Sequence, residues 1–120
     1  VIVHVSKRRG VTDYLDVFQS IGTMFFDLET DLLIVLDEQG NIDRVNPMFE
    51  RLLGRMEIEV LGMAIIRLVH VDDLAKFLKS FTQLQPEPIR LLRHPDGEIA
   101  VRFIACRFKA QRGFIILRRV

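Results

Sequence analysis

The chain has 120 residues, 49% of them hydrophobic, with nine Phe, no Trp, and 17 basic against 16 acidic residues for a formal charge of +1. That length suits one domain with one core, the apolar content excludes a disordered chain, and the balanced charge supplies no bulk attraction for nucleic acid. The single cysteine, Cys106, excludes an intrachain disulfide and a Cys-built zinc cluster, which suits a reducing, cytoplasmic setting.

No apolar run reaches the ~20 residues that span a bilayer. Val1–Val5 is followed by Lys7, Arg8 and Arg9, the reverse of the order in a signal peptide. The chain starts without Met and stops on Leu117-Arg118-Arg119-Val120 while still patterned as a strand, as a piece excised from a longer protein would.

Residues 1–30 are expected to form an N-terminal segment and residues 31–120 the domain proper. Residues 1–11 read as linker or short strand. A helix is predicted from Thr12, which can cap it, with Asp13 and Asp16 in the first turn where the helix dipole favours negative charge. Tyr14, Val17, Ile21, Met24 and Leu28 recur at alternating spacings of three and four, a seam widened by Phe18 and Phe25. Gly22 weakens this helix by roughly 1 kcal/mol relative to Ala.

Asp31–Asp37 is a short apolar run of strand formers, Gln39-Gly40 a turn, and Asn41–Val45 an alternating segment, so the three read as a β-hairpin. Asn46-Pro47 then opens a helix: Asn is a good N-cap, and Pro at the first helical position loses no hydrogen bond. Met48, Phe49, Leu52 and Leu53 give its apolar face and Gly54 suits its end. Glu57–Leu61 reads as one further turn closed by Gly62. Asp72 or Asp73 is expected to cap a stronger helix, with Leu74, Phe77, Leu78, Phe81 and Leu84 on one face and Pro86 and Pro88 beyond it.

The remainder reads as β structure. Ile89–Arg93 is a strand, His94-Pro95-Asp96-Gly97 a turn, Glu98–Phe108 a long strand, Gln111-Arg112-Gly113 a turn and Phe114–Arg118 a last strand. Strands, then helices, then strands predict an α+β fold with a mostly antiparallel sheet and helices on one face, preceded by the N-terminal amphipathic helix.

The strings DLLIVLDEQGNIDRVNPMFERLLG and EVLGMAIIRLVHVDDLAKF resemble a PAS domain. The resemblance is carried by Asp37, Gly40, Ile42, Val45-Asn46, Phe49, Leu52-Leu53-Gly54, Leu61-Gly62 and His70-Val71-Asp72-Asp73, in that order, with the HPDGEI turn after them. It implies a five-stranded antiparallel sheet whose helices fold over one face to leave a small cavity. It also implies a sensor that binds a small ligand, a cofactor or another copy of itself, next to a kinase, cyclase or transcription-factor output domain in two-component or cyclic-nucleotide signalling. Val71 stands where that family usually has Pro, and Arg119 where many members have the Asp of a terminal Asp-x-Thr.

Among individual residues, Asn46 reads as a helix cap before a ligand contact, and Asp37 and Asn41 as turn residues. His70 matches the family's structural His; no His lies on Leu74–Leu84, where haem-binding relatives place their ligand, and that argues against haem. No N-C-R-F-L-Q-like motif surrounds Cys106, which argues against a light-driven flavin adduct, so the cofactor is left open. Cys106 reads as a small buried hydrophobe beside Ile104 and Phe108. Alternation puts Val101, Phe103 and Ala105 on one face of the long strand, and Ala100, Arg102, Ile104, Cys106 and Phe108 on the other. An inward Arg102 would clamp a carboxylate or phosphate; an outward one would line a solvated face.

No Gly-rich phosphate loop, nucleophile elbow or metal-spaced His pair is present, so no catalysis and no metal are expected. Two functions follow as expectations. One is a sensor with a pocket at Ile65, Ile66, Phe77 and Phe81 facing Arg102, Ile104 and Phe108. The other is a ligand-free module that homodimerises through Tyr14, Val17, Ile21, Met24 and Leu28. A third, single-strand nucleic acid binding by Arg and Phe on the sheet, is opposed by the balanced charge.

Overall fold

The computed structural model describes residues 30–83, 85–109 and 112–120. The expected seam Tyr14, Val17, Ile21, Met24 and Leu28 lies outside these residues, as does Leu84. Five strands, β1 (Leu32–Leu36), β2 (Ile42–Val45), β3 (Ile89–Leu92), β4 (Glu98–Lys109) and β5 (Arg112–Arg119), form one sheet in the order β2-β1-β5-β4-β3. Every neighbouring pair is antiparallel. Between β2 and β3 the chain runs through α1 (Pro47–Leu53), α2 (Glu57–Val60), 3-10 turns at Ile65–Leu68 and Val71–Asp73, and α3 (Leu74–Ser80). Among the described residues no helix is long and apolar enough to cross a membrane.

The β1–β2 hairpin is set by its turn. Asp37 Oδ1 accepts from the N–H groups of Gln39 and Asn41, both at 2.9 Å, and Gly40 takes φ +78°, a conformation open to glycine at little cost. β1 lies second from the sheet edge and is buried at all five positions, which is why it reads as an unbroken apolar run. Leu32, Ile34 and Leu36 enter the main core with Phe49, Leu53, Val60, Ile65, Leu68 and Phe77 from the helical side; Leu33 and Val35 are buried outside that cluster, on the other face. Fully burying each such side chain contributes about 1.5–3 kcal/mol.

The corner between β2 and α1 is held by side-chain hydrogen bonds to backbone from three directions. Asn46, 1% exposed, caps α1 by accepting from Phe49 N–H at 3.1 Å, and the same Oδ1 accepts from Leu33 N–H at 3.0 Å. Its Nδ2 donates to the Asp31 carbonyl at 2.8 Å. Asp31, itself buried, receives a two-pronged contact from Arg118 at 3.0 and 3.1 Å, so the start of β1 is tied to the end of β5. Gly54 ends α1 at φ +64°, and a Cβ there would run into the carbonyl oxygen of His94.

Three sequence expectations are corrected. The register between β4 and β5 shifts between Phe103 and Ala105, leaving Ile104 as an extra residue. Strict alternation therefore fails: Val101 and Phe103 face the core, but beyond the bulge it is Cys106 that packs on the core, while Ala105 sits opposite Ile116 on the other face. Asp73 does not cap α3 with its side chain; its carboxylate is drawn away to β3. Leu78, expected on the buried face of α3, is 62% exposed.

Candidate functional site

α3 is held over the sheet by aromatic contacts. Phe77, Phe81 and Phe103 meet edge to face, with ring centroids 5.0 to 5.6 Å apart, and fill the space between α3 and β4. Cys106 lies under the end of the helix, its Sγ 3.7 Å from the Phe81 carbonyl oxygen, and burial pushes its thiol pKa up.

The start of α3 is fastened to β3 by polar contacts. Arg90 donates from its backbone N–H and from Nε to Asp73 Oδ2, both at 2.8 Å, and from Nη2 to Oδ1 at 3.1 Å. These hydrogen bonds outweigh the cost of burying the carboxylate and bring the Asp73 pKa from 3.8 to about 2. His70 joins the same edge. Its backbone N–H donates to the Arg90 carbonyl at 2.9 Å, its Nδ1 accepts from Asp72 N–H at 3.1 Å, and its Nε2 lies 3.7 Å from Glu98 Oε2. The ring proton is thus assigned to Nε2. Among the described residues no three His, Cys, Asp or Glu side chains gather in a way that could hold a metal.

On the far side of the Phe77 and Phe81 rings lies a cleft of about 430 Å³. One wall is the end of β1 and the hairpin turn, Leu36 to Gly40; another is the 3-10 turn with Ala64, Ile65 and Ile66; the third is α3 with Phe77, Leu78 and Phe81. Backbone bonds hold the first two walls together, from Ile65 N–H to the Gly40 carbonyl at 3.0 Å and from Gly62 N–H to the Ile42 carbonyl at 2.7 Å. Ile66 and Leu78, 49% and 62% exposed, stand at the mouth. The volume falls in the range of small-molecule sites, and the lining is mainly apolar with polar groups at one lip, as such sites require.

With this architecture in view, the comparisons are specific. The PAS fold family profile matches residues 24–87, just over half of the chain. The chain belongs to the PAS family. The PAS domain of an HTR-like protein from Haloarcula marismortui is 25% identical and superposes with a TM-score of 0.58, covering 75% of this chain and 86% of that one. A PAS domain from Colwellia psychrerythraea, 19% identical, gives 0.60 over 85% of this chain and 94% of its own. The chromophore-binding domain of an unusual bacteriophytochrome from R. palustris, 21% identical, gives 0.63 over 75% of this chain, which spans only 30% of that protein's chain. No curated protein sequence matches significantly.

In this PAS domain, four of the seven expected pocket residues, Ile65, Ile66, Phe77 and Phe81, line one cleft. Arg102 does not join them. It is exposed, opposite Arg118 in the β4–β5 register, beside a separate depression formed with Gln85 to Pro88 and Phe103. Ile104 is half-buried at the bulge and away from the cleft, and the Phe108 side chain lies outside the described set. Of the expected motif residues, Asp37 and Gly40 build both the hairpin turn and one cleft wall, Gly62 (φ +81°) anchors the Met63–Ile65 stretch behind it, and His70 and Asp73 fix α3 at its start. Leu36, Glu38, Gln39, Ala64 and Leu78 were missed. Leu78 had a signal: it follows Phe77 by one residue, about 100° round the helix, off the Phe77–Phe81 stripe.

Proposed function

We propose that this PAS domain is a sensory module that takes a small, largely apolar ligand into the cleft and transmits occupancy as a displacement of α3 against β4. The supporting observation is the cleft itself, with Ile66 and Leu78 exposed at its mouth above Ile65, Phe77 and Phe81. An apolar body entering there covers both exposed side chains and presses on rings that also touch Phe103. α3 is suited to move: its start is pinned through Asp73 and Arg90, while its end rests on ring packing and the Cys106 contact. The domain is read as a binding element, in which the Asp73 carboxylate serves to hold α3 through Arg90. Native mass spectrometry of the purified domain, followed by identification of what denaturation releases, tests this. A stoichiometric small molecule whose retention is lost in Leu78→Glu supports it. An empty domain whose cleft amides do not shift against a fragment library ends it.

A second reading has its own observation. Leu33, Val35, Ala105, Phe114 and Ile116 lie on the sheet face away from the described helices and are already buried within the chain, so the observation that carries this reading is the apolar seam of the sequence. We propose that homodimerisation runs through the Tyr14–Leu28 seam, whose three-four spacing is that of a packed helix pair, in a larger signalling chain with an output domain. Light scattering across a concentration series tests it, and a strictly monomeric chain at the highest concentration sinks it.

A further inference from the structure

The cleft has a charged lip of one sign. Asp37 and Glu38 line it, and among the described residues no Lys, Arg or His does. Asp37 spends Oδ1 on the turn, accepting from Gln39 and Asn41, and among the described residues neither its Oδ2 nor the Glu38 carboxylate meets a cation. The lip is anchored: the turn that carries both acids is closed by Gly40 N–H on the Asp37 carbonyl and stitched to Ile65 through the Gly40 carbonyl. Two carboxylates carried by an anchored turn therefore stand at one end of an apolar trough floored by Ile65, Phe77 and Phe81.

We infer that the cleft selects a cationic amphiphile, an alkyl or aryl amine whose apolar body lies between Ile66 and Leu78 and whose ammonium faces Asp37 and Glu38. This rests on the reading of the cleft as a ligand site. An anionic ligand would meet like charge at the lip, and a neutral one would leave both carboxylates without a counter-charge. The lip is exposed to water, so the selection is modest: two solvated carboxylates give a roughly three- to tenfold preference for the ammonium over a neutral isostere, and about 1 M salt removes most of it.

The test is an NMR titration of the full chain at pH 7 with three probes of matched size: phenethylamine, phenethyl alcohol and hydrocinnamate. The expected result is shifts at Ile66, Leu78 and Phe81 with all of them and tightest binding by the amine. The amine's advantage should collapse in high salt and in Glu38→Gln, an exposed substitution that leaves the fold alone, and further in Asp37→Asn combined with it. If the alcohol or the carboxylate binds as tightly as the amine, the charge selection is overturned and the apolar-ligand reading stands. If none of the three shifts the cleft residues, the inference and the ligand reading fall together.

Discussion

The corner at Asn46 and the helix α3 lie on the same side of one sheet and are held by opposite means. At the corner every polar atom of one buried side chain is used: Asn46 binds Leu33, Phe49 and the Asp31 carbonyl, and Gly54 presses on the backbone of His94. α3 has no side-chain cap hydrogen bond, one polar fastening at its start, and its own Phe77 and Phe81 rings resting on Phe103, with Leu78 in water. Directional bonds at the corner fix one geometry, whereas ring packing at α3 tolerates a slide, because ring contacts are individually weak and re-form in shifted positions. One region is held by directed bonds and the other by packing.

The sharpest test of that contrast is at the corner. Asn46→Ala removes a cap and leaves the buried Leu33 N–H without its acceptor, so a loss of about 2–4 kcal/mol is expected in chemical denaturation. Gly54→Ala forces a left-handed residue against the His94 carbonyl and should cost about 1–3 kcal/mol by the same measurement. Asp73→Asn should cost less at neutral pH and carry a distinct pH signature. The folded-state pKa of about 2 lies below the ordinary 3.8, so the stabilisation is complete above 3.8 and disappears as pH falls through 2. The gap between wild type and Asp73→Asn should therefore close in acid melts; a gap that stays constant would show that the carboxylate charge is not what holds α3. Leu78→Ser should change stability by no more than about 0.5 kcal/mol, while hydrogen exchange finds α3 amides opening locally and Phe49 and Leu33 amides only on global unfolding. Equal protection in the two regions would break the comparison.

What could be read from the sequence follows the same division. Asp37, Gly40, Asn46-Pro47 and Gly54 act on backbone within a few residues of themselves, so their roles were legible, down to Asn46 as a cap. The reach of Asn46 back to Leu33 and Asp31, 13 and 15 residues away, was not, because nothing local requires it. Asp73 was misread for the same reason: the nearest use of an acid at a helix start is capping, but Arg90, 17 residues on, offers two donors from its guanidinium and one from its backbone. The bulge at Ile104 escaped because alternation has no mark for an inserted residue; it is fixed by pairing with Leu117 and Ile116 on β5. In the cleft, residues on the helical segment were found through the family resemblance, while the hairpin wall was not, since only the closed fold brings Leu36 and Gly40 against Ile65.

That one inserted residue has a practical consequence. By turning Cys106 inward it parks the only thiol of the chain beneath the end of α3, with its ionisation suppressed by burial. A bulky aromatic disulfide added in excess meets a half-buried sulfur beside the Phe81 carbonyl, so its reaction is expected to speed up when the end of the helix shifts. The rate at which this thiol is consumed therefore offers a reporter on the end of α3, and a change in that rate on adding a cleft ligand would tie the helix to the cleft.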